Sequence, residues 1–301
     1  VVLIGYGAKK KSDLTGSITA LSEKDFNKGA ITSAEGLLNG RTSGVVVTQS
    51  GTPGNDAVIR VRGGSSLLSS NDPLIVIDGL PVEGGLSSIN PNDIESFSIL
   101  KDASSTAIYG NRGSNGVILI TTKKGSKKKL QVSFNSFTTY NTLAKNVDVY
   151  NGDQFREIIN TMAPDKANLL GTANTNWQDL IFRNTASFDS NLSLMGNLFD
   201  KIPSRLSIGH TENEGLLLTS NYKRSTASFT LNPTLFDNHL KLNISGNYTY
   251  AFRTNADEGA IGSAISYDPT QSPYDAQTPF AGYREWYQQD GAKYFFRGTS
   301  N

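Results

Sequence analysis

The chain of 301 residues has no cysteine and only two histidines, His210 and His239. The first absence excludes disulfides, thiolate metal sites and cysteine nucleophiles. The second leaves little from which to build a zinc site or a histidine base. A surplus of charge is missing too. Lys and Arg number 28 against 27 Asp and Glu, a formal +1, so no long-range field draws the chain to nucleic acid or to an acidic surface. No apolar run approaches the ~18 residues that a membrane-spanning helix needs. The longest are short: Val1–Ile4, Leu74–Ile77 and Val117–Ile120. A transmembrane barrel stays open, because its strands read as weakly hydrophobic alternating segments of ~10 residues. Glycine is plentiful at 29 residues, alongside many Ser, Thr and Asn, a composition suited to strands and turns.

Signatures of catalysis are thin. There is no Gly-x-Ser-x-Gly elbow. Gly5-Tyr6-Gly7 lacks the third glycine of a dinucleotide fingerprint, and Gly110, Gly113 and Gly116 lack the Gly-Lys-Ser/Thr of a phosphate loop. Asp72, Asp93, Glu95 and Asp102 are close in sequence but lack calcium-loop spacing, and they read as caps and turns. No catalytic residue, metal site or cofactor is expected, and the chain is not expected to be an enzyme.

Two regions follow different patterns. Residues 1–125 carry apolar runs without clean alternation, such as Leu74–Ile77, Phe97–Leu100 and Val117–Ile120, punctuated by Gly, Pro and Asn. Such runs predict strands buried on both faces of a compact mixed sheet. Helical pieces are expected at Ser33–Leu38, before Asn39-Gly40, and at Asp102–Gly110. Asp78-Gly79 signals a turn or hairpin. The lysine-rich stretch Lys123–Lys129 reads as a solvated linker.

Beyond it the pattern has period two. In 239–250, Leu240, Leu242, Ile244, Gly246, Tyr248 and Tyr250 share one face, and Lys241, Asn243, Ser245, Asn247 and Thr249 the other. Segments 130–140, 186–198, 204–211 and 223–232 complete about five strands. One apolar face with tyrosines at its end fits a strand between lipid and an aqueous lumen. A soluble sandwich with one wet face has the same periodicity. The joints at Asp200–Pro203 and Phe236–Asn238 are tight, whereas 143–185, with a helix at Asp153–Met162, and the stretch after Phe252 are long. Short turns on one side and long loops on the other are the habit of outer-membrane barrels. Five or six strands cannot close around a plug of ~125 residues, since plugged barrels use ~22. The chain is therefore expected to be part of a longer polypeptide, with its beginning trimmed.

Several phrases are specific: Leu38-Asn39-Gly40-Arg41-Thr42-Ser43-Gly44-Val45, Ile59-Arg60-Val61-Arg62-Gly63, Asn71-Asp72-Pro73-Leu74-Ile75-Val76-Ile77-Asp78-Gly79, and the run from Ile89-Asn90-Pro91-Asn92-Asp93-Ile94 through Leu100-Lys101-Asp102-Ala103-Ser104 and Ala107-Ile108-Tyr109-Gly110-Asn111-Arg112-Gly113 to Thr121-Thr122-Lys123-Lys124-Gly125. Together they resemble the plug domain of SusC/RagA-type TonB-dependent outer-membrane transporters of Bacteroidetes, over 1–125 and more loosely into the strands that follow. The resemblance implies an all-β transmembrane barrel of 22 antiparallel strands, of which only the first five or six are present, holding an N-terminal α+β plug. The plug domain is expected at 1–125 and the truncated N-terminal part of the barrel at 126–301. The implied activity is import of oligosaccharides or oligopeptides, with a SusD-type lid lipoprotein and with TonB energised by ExbB and ExbD. The alternative is a non-transporting surface receptor or adhesin of the same architecture.

The resemblance places a Ton-box-like segment at Val1, Val2, Leu3 and Ile4, which TonB would pair with as an added strand. Arg60 and Arg62 alternate on one strand and so face one way, a candidate grip of the plug on the barrel wall. Arg112, between glycines, is read similarly. Tyr274, Tyr283, Trp286 and Tyr287 are candidates for stacking on a sugar, although aromatics bury large areas in any folded loop.

Overall fold

In the computed structural model, residues 2–4, 7–9, 18–49, 51–61, 71–82, 85–102, 106–237, 239–275, 282–284, 287–290 and 293–296 are described. The N-terminal region contributes β1 (Val2–Ile4), β2 (Gly7–Lys9), β3 (Ile18–Ser22), β4 (Val45–Thr48), β5 (Val58–Val61), β6 (Leu74–Ile77), β7 (Leu80–Val82), β8 (Ile94–Leu100) and β9 (Val117–Thr122). β1 pairs with β2, and β4 with β5. The other five strands form a mixed sheet in the order β3-β8-β9-β6-β7, with β6 and β9 parallel and the remaining pairs antiparallel.

The unbroken apolar runs have a simple cause. Side chains alternate across a sheet, and both faces here are covered. From β9, Ile118 and Ile120 join one core with Ile75, Phe97 and Ile99. Val117 and Leu119 join another with Leu74, Val76 and Leu100. β6 and β7 are joined by Asp78 and Gly79, both at positive φ (48° and 90°), as a two-residue hairpin loop of this hand requires. The Asp78 carboxylate accepts the Thr122 N–H at 2.9 Å, which ties the turn to β9.

The first of the two expected helices is shorter and tighter than the sequence predicts. Ser33–Leu38 yields one 3-10 turn, Glu35–Leu37. The second piece is a 3-10 stretch, Ala107–Gly113, interrupted at Gly110 (φ 58°, ψ −146°). No helix passes through that conformation, so Gly110 ends one short helical piece, as the sequence predicts, and a second turn follows it to Gly113. Residues 103–105 lie outside the described residues.

The second region is an up-and-down sheet in the order β10-β11-β12-β13-β16, from β10 (Gln131–Asn141), β11 (Thr185–Leu198), β12 (Ile202–Glu214), β13 (Asn221–Leu231) and β16 (Ile244–Thr254). Between the last two, β14 (Thr234–Leu235) and β15 (Leu240–Lys241) pair as a small hairpin. This corrects the strand expected at 239–250. Phe236 and Asp237 adopt positive φ (51° and 49°) and turn the chain, so Leu240–Lys241 fold back on Thr234–Leu235 and the long strand starts at Ile244.

The polarity of this sheet is the reverse of the first. On β11, Asp189 and Asn191 are buried while Phe188 and Leu192 are exposed. On β12, Arg205, Ser207 and Thr211 are buried and Leu206 and Ile208 exposed. On β13, Arg224, Thr226 and Ser228 are buried and Phe229 exposed. A water-soluble sandwich would bury the leucines and expose the serines.

The chain divides into two compact units. One holds 1–140, 186–215 and 220–255, and therefore both sheets. The other comprises 141–185, 216–219 and 256–301. In this second unit, α1 (Gly152–Met162) starts in a capping box: the Asn151 side chain accepts the Asp153 and Gln154 N–H groups, and the Gln154 side chain accepts the Asn151 N–H. Trp177 opens α2 (Trp177–Ile181), and its indole N–H donates to the Asp268 carbonyl at 3.0 Å, just beyond α3 (Gly259–Ser266). β17 (Tyr287–Asp290) and β18 (Lys293–Phe296) form a further hairpin.

Candidate functional site

The buried polar face of the second sheet is covered by the N-terminal region, and the contacts are charged. Arg205 on β12 donates from Nη2 to Asp93 Oδ1 at 2.7 Å, with the two side chains only 5% and 8% exposed. The other Asp93 oxygen accepts the Ser228 hydroxyl at 2.7 Å. Asp93 is held for this role by local structure. It ends a 3-10 turn, Pro91–Asp93, capped by the Asn90 side chain, which accepts the Asn92 N–H. The Asn90 amide donates to Thr226 Oγ1 at 3.1 Å. A buried carboxylate and guanidinium each bear a desolvation cost, offset only where pairing and further hydrogen bonds are present, as they are here.

Arg224, one strand over, binds backbone instead. Nη1 donates to the carbonyls of Ser87 (2.9 Å) and Ile89 (3.4 Å), and Nη2 to Thr32 (2.9 Å). One guanidinium therefore holds two segments that are distant in sequence.

A second seat lies at the turn Pro53-Gly54-Asn55. Arg253 on β16 donates to the Gly54 carbonyl at 3.1 Å and to Asn55 Oδ1 at 2.6 Å. The buried Tyr222 ring lies against Gly54. A Cβ at Gly54 would meet that ring at 2.2 Å, and φ is +74°, so both packing and backbone demand glycine. A third seat is the lysine-rich stretch, expected to be a solvated linker. Lys127, Lys128 and Lys129 are exposed, yet the Gly125 N–H donates to Asn232 Oδ1 and Ser126 bridges to Ser204, so this segment is fastened to the strands rather than free.

Those residues singled out in the sequence that the structure describes lie outside these contacts. Arg60 is exposed on β5, with Ile59 and Val61 buried on the opposite face. Arg112 is exposed and borders a cleft of about 660 Å³ together with Asp72, Asp56 and Glu35. Arg62 lies outside the described residues. Glu35 is 1% exposed; burial first, and then the nearby Asp56 charge, push its carboxyl above the usual range, against opposing hydrogen bonds. Val2–Ile4 form β1 and are already paired with β2, and Val1 lies outside the described residues. In the second unit, Tyr274 and Tyr283 pair through their backbones, are 65% and 58% exposed, and hold their rings 5.6 Å apart at 40°. Tyr287 opens β17; Trp286 lies outside the described residues.

Sequence reasoning missed Asp93, Arg205 and Arg224. A signal was present. Arg205 and Arg224 alternate with Leu206, Ile208 and Phe229, and so fall on the face carrying Ser207, Thr226 and Ser228. Arginines on that face require acceptors, here supplied by carbonyls and one carboxylate of the N-terminal region.

Residues 10–117 match the TonB-dependent Receptor Plug Domain. The TonB-dependent receptor SusC of Bacteroides thetaiotaomicron is 47% identical over 292 residues, 93% of this chain and 29% of the relative. The solved RagAB peptide transporter has the same fold, with a TM-score of 0.75 over 93% of this chain and 36% of that one, at 23% identity. This chain belongs to the SusC/RagA-type TonB-dependent receptors. A TonB-dependent receptor of Formosa agariphila is 38% identical over 95% of this chain and 30% of its own length. The chain thus spans about 30% of the length of the curated relatives it matches. The N-terminal region is the plug, and the five-stranded sheet is part of the barrel that holds it.

Proposed function

We propose that residues 1–125 are the plug, and that 126–301 carry the opening strands, of a 22-stranded outer-membrane barrel that imports oligosaccharides or oligopeptides. The observation that carries this reading is the inverted polarity of the strands. Leu206, Ile208 and Phe229 face outward where lipid would lie, while Arg205, Ser207, Arg224 and Ser228 face the plug. In a barrel wall this arrangement has a purpose: the outside is solvated by hydrocarbon and the inside by polar groups.

Cargo would be captured above the plug beneath a SusD-type surface lipoprotein, with Tyr274, Tyr283, Trp286 and Tyr287 available for stacking. Arg60, Arg62 and Arg112 would meet parts of the wall beyond these five strands. The segment Val1–Ile4 would be offered to TonB as an added strand, and ExbB and ExbD would energise the pull. No bond in the cargo is made or broken; the work is mechanical. The plug would face the periplasm and the long connections the exterior. Deleting residues 1–5 from the full-length protein tests this. Surface binding of cargo should persist while uptake falls to background. Undiminished uptake would contradict the reading.

A further inference from the structure

Resting on the transport reading, we infer that the plug carries a site for a primary ammonium group of the cargo, in the cleft of about 660 Å³ lined by Glu35, Asp56 and Asp72. Among the described residues, three carboxyl groups line this cleft and one guanidinium, that of Arg112. Acidic side chains on a surface are ordinary, but a buried one with an unsatisfied oxygen is not. Glu35 is 1% exposed. The bonds it accepts come from its own backbone N–H, the Ser33 hydroxyl and the Leu86 N–H, and they leave Oε2 without a hydrogen-bond partner among the described residues. Asp56 is held in place beside it. Its Oδ1 accepts the Ser87 N–H at 3.1 Å, and the carboxyl lies so close over Gly85 that a Cβ there would overlap it. Gly85 has φ −80°, which any residue adopts, so glycine here makes room for Asp56 rather than serving the backbone.

The lining selects the class of ligand. A metal ion does not fit: among the described residues no three carboxylates or imidazoles stand close enough to share one, and the cleft is far larger than an ion. A neutral hydroxyl would satisfy Oε2 but leave the excess of negative charge unanswered. An ammonium brings three donors, no acceptor and a compact charge. Val58 and Leu86 on the walls would cover the carbon chain that carries it. In the transport reading the cleft sits on the cargo side. β6 begins at Leu74 and β7 ends at Val82, both at the end of the sheet away from the Asp78-Gly79 turn. That turn is tied to Thr122, and Gly125, three residues on, is fastened to Asn232 near the tight connections. Asn55, next to Asp56, is instead held by Arg253, one residue from the end of β16, where a long connection leaves.

The test measures binding to the full-length protein in detergent by calorimetry, with two pairs of probes. One pair is tetra-alanine and its N-acetylated form; the other is a glucosamine trimer and its fully N-acetylated form. In at least one pair the free amine should bind about tenfold or more tightly than its acetylated twin, as a charge-assisted hydrogen bond implies. The pair that shows the preference identifies a peptide or an amino sugar as the source of the ammonium. Glu35→Gln should bring the two members of that pair to similar affinity. Gly85→Ala, which displaces the Asp56 carboxyl without removing a charge, should narrow the gap as well, and it serves as the test variant should Glu35→Gln fail to fold. Equal binding within both pairs, no binding of either amine, or a preference that survives in the folded variant overturns the inference. Failure of the transport reading shows separately: the amine preference would be present in binding, and uptake of the bound probe by cells carrying the full-length protein would be absent.

Discussion

The plug sheet and the barrel sheet are both built from alternating strands, yet they bury opposite chemistries. Ile118 and Ile99 of the plug are fully buried; Ile208 of the barrel sheet is 53% exposed. Ser207, beside Ile208, is 1% exposed. The same two-residue period thus yields a hydrophobic core in one region and a polar interior in the other. What differs is the solvent outside. A plug surrounded by water and a polar lumen must hide its apolar groups, whereas a strand facing hydrocarbon has no reason to.

Breaking that comparison at its charged junction should have the largest effect. Asp93→Ala leaves the Arg205 guanidinium buried without its partner and should destabilise the seated plug by about 3–5 kcal/mol. Calorimetry of the full-length protein would show this as an earlier plug transition. Replacing both partners with apolar residues of similar size should recover most of the loss, because the cost lies in the unpaired charge rather than in the missing bond.

Next in size is a charge on the outward face. Ile208→Lys should cost about 2–4 kcal/mol in a bilayer if the position lies near the midplane. Reversible unfolding in lipid vesicles measures it, and a value near zero would place that face in water. Gly54→Ala should cost about 1–3 kcal/mol, because the methyl group must displace the Tyr222 ring at a positive-φ position. Its readout is loosened contact between the turn and Arg253, visible as faster proteolysis at Asn55.

The smallest effect concerns Glu35. Its folded-state carboxyl titrates above the ordinary 4.5, so the folded plug holds this proton more tightly than the unfolded chain does. Stability from this group is therefore full below about pH 4.5 and declines as pH rises through the raised value. Glu35→Gln should flatten that decline in a plot of plug stability against pH; an unchanged slope would contradict the assignment.

Much of this architecture was legible in the sequence, for reasons that are local. The runs at 74–77 and 117–120 state that both faces of a strand are covered, and Asp78-Gly79 dictates its own hairpin. The strands β10 to β13 follow from period two alone. The errors arose where a local signal was weaker than a backbone constraint or a distant partner. Leu240 and Leu242 fit the phase of β16, yet positive φ at Phe236 and Asp237 diverts Leu240–Lys241 into a separate hairpin. The Ser33–Leu38 pattern looks helical, but it yields only the 3-10 turn Glu35–Leu37. Asp93 resembled a turn residue, and it is one; its ion-pair partner lies 112 residues further on. No local pattern announces such a pair. The polar phase of β12 nonetheless shows that Arg205 must find an acceptor inside.

The central claim is that the barrel strands turn their apolar face to lipid and their polar face to the plug. Single cysteines at 206, 207, 208 and 209 carrying nitroxide labels, in the full-length protein reconstituted into vesicles, test it directly. Relaxation by oxygen, which partitions into hydrocarbon, should be strong at 206 and 208 and weak at 207 and 209, with a water-soluble nickel complex reaching none of the four. Nickel access at 206 and 208 would contradict the account.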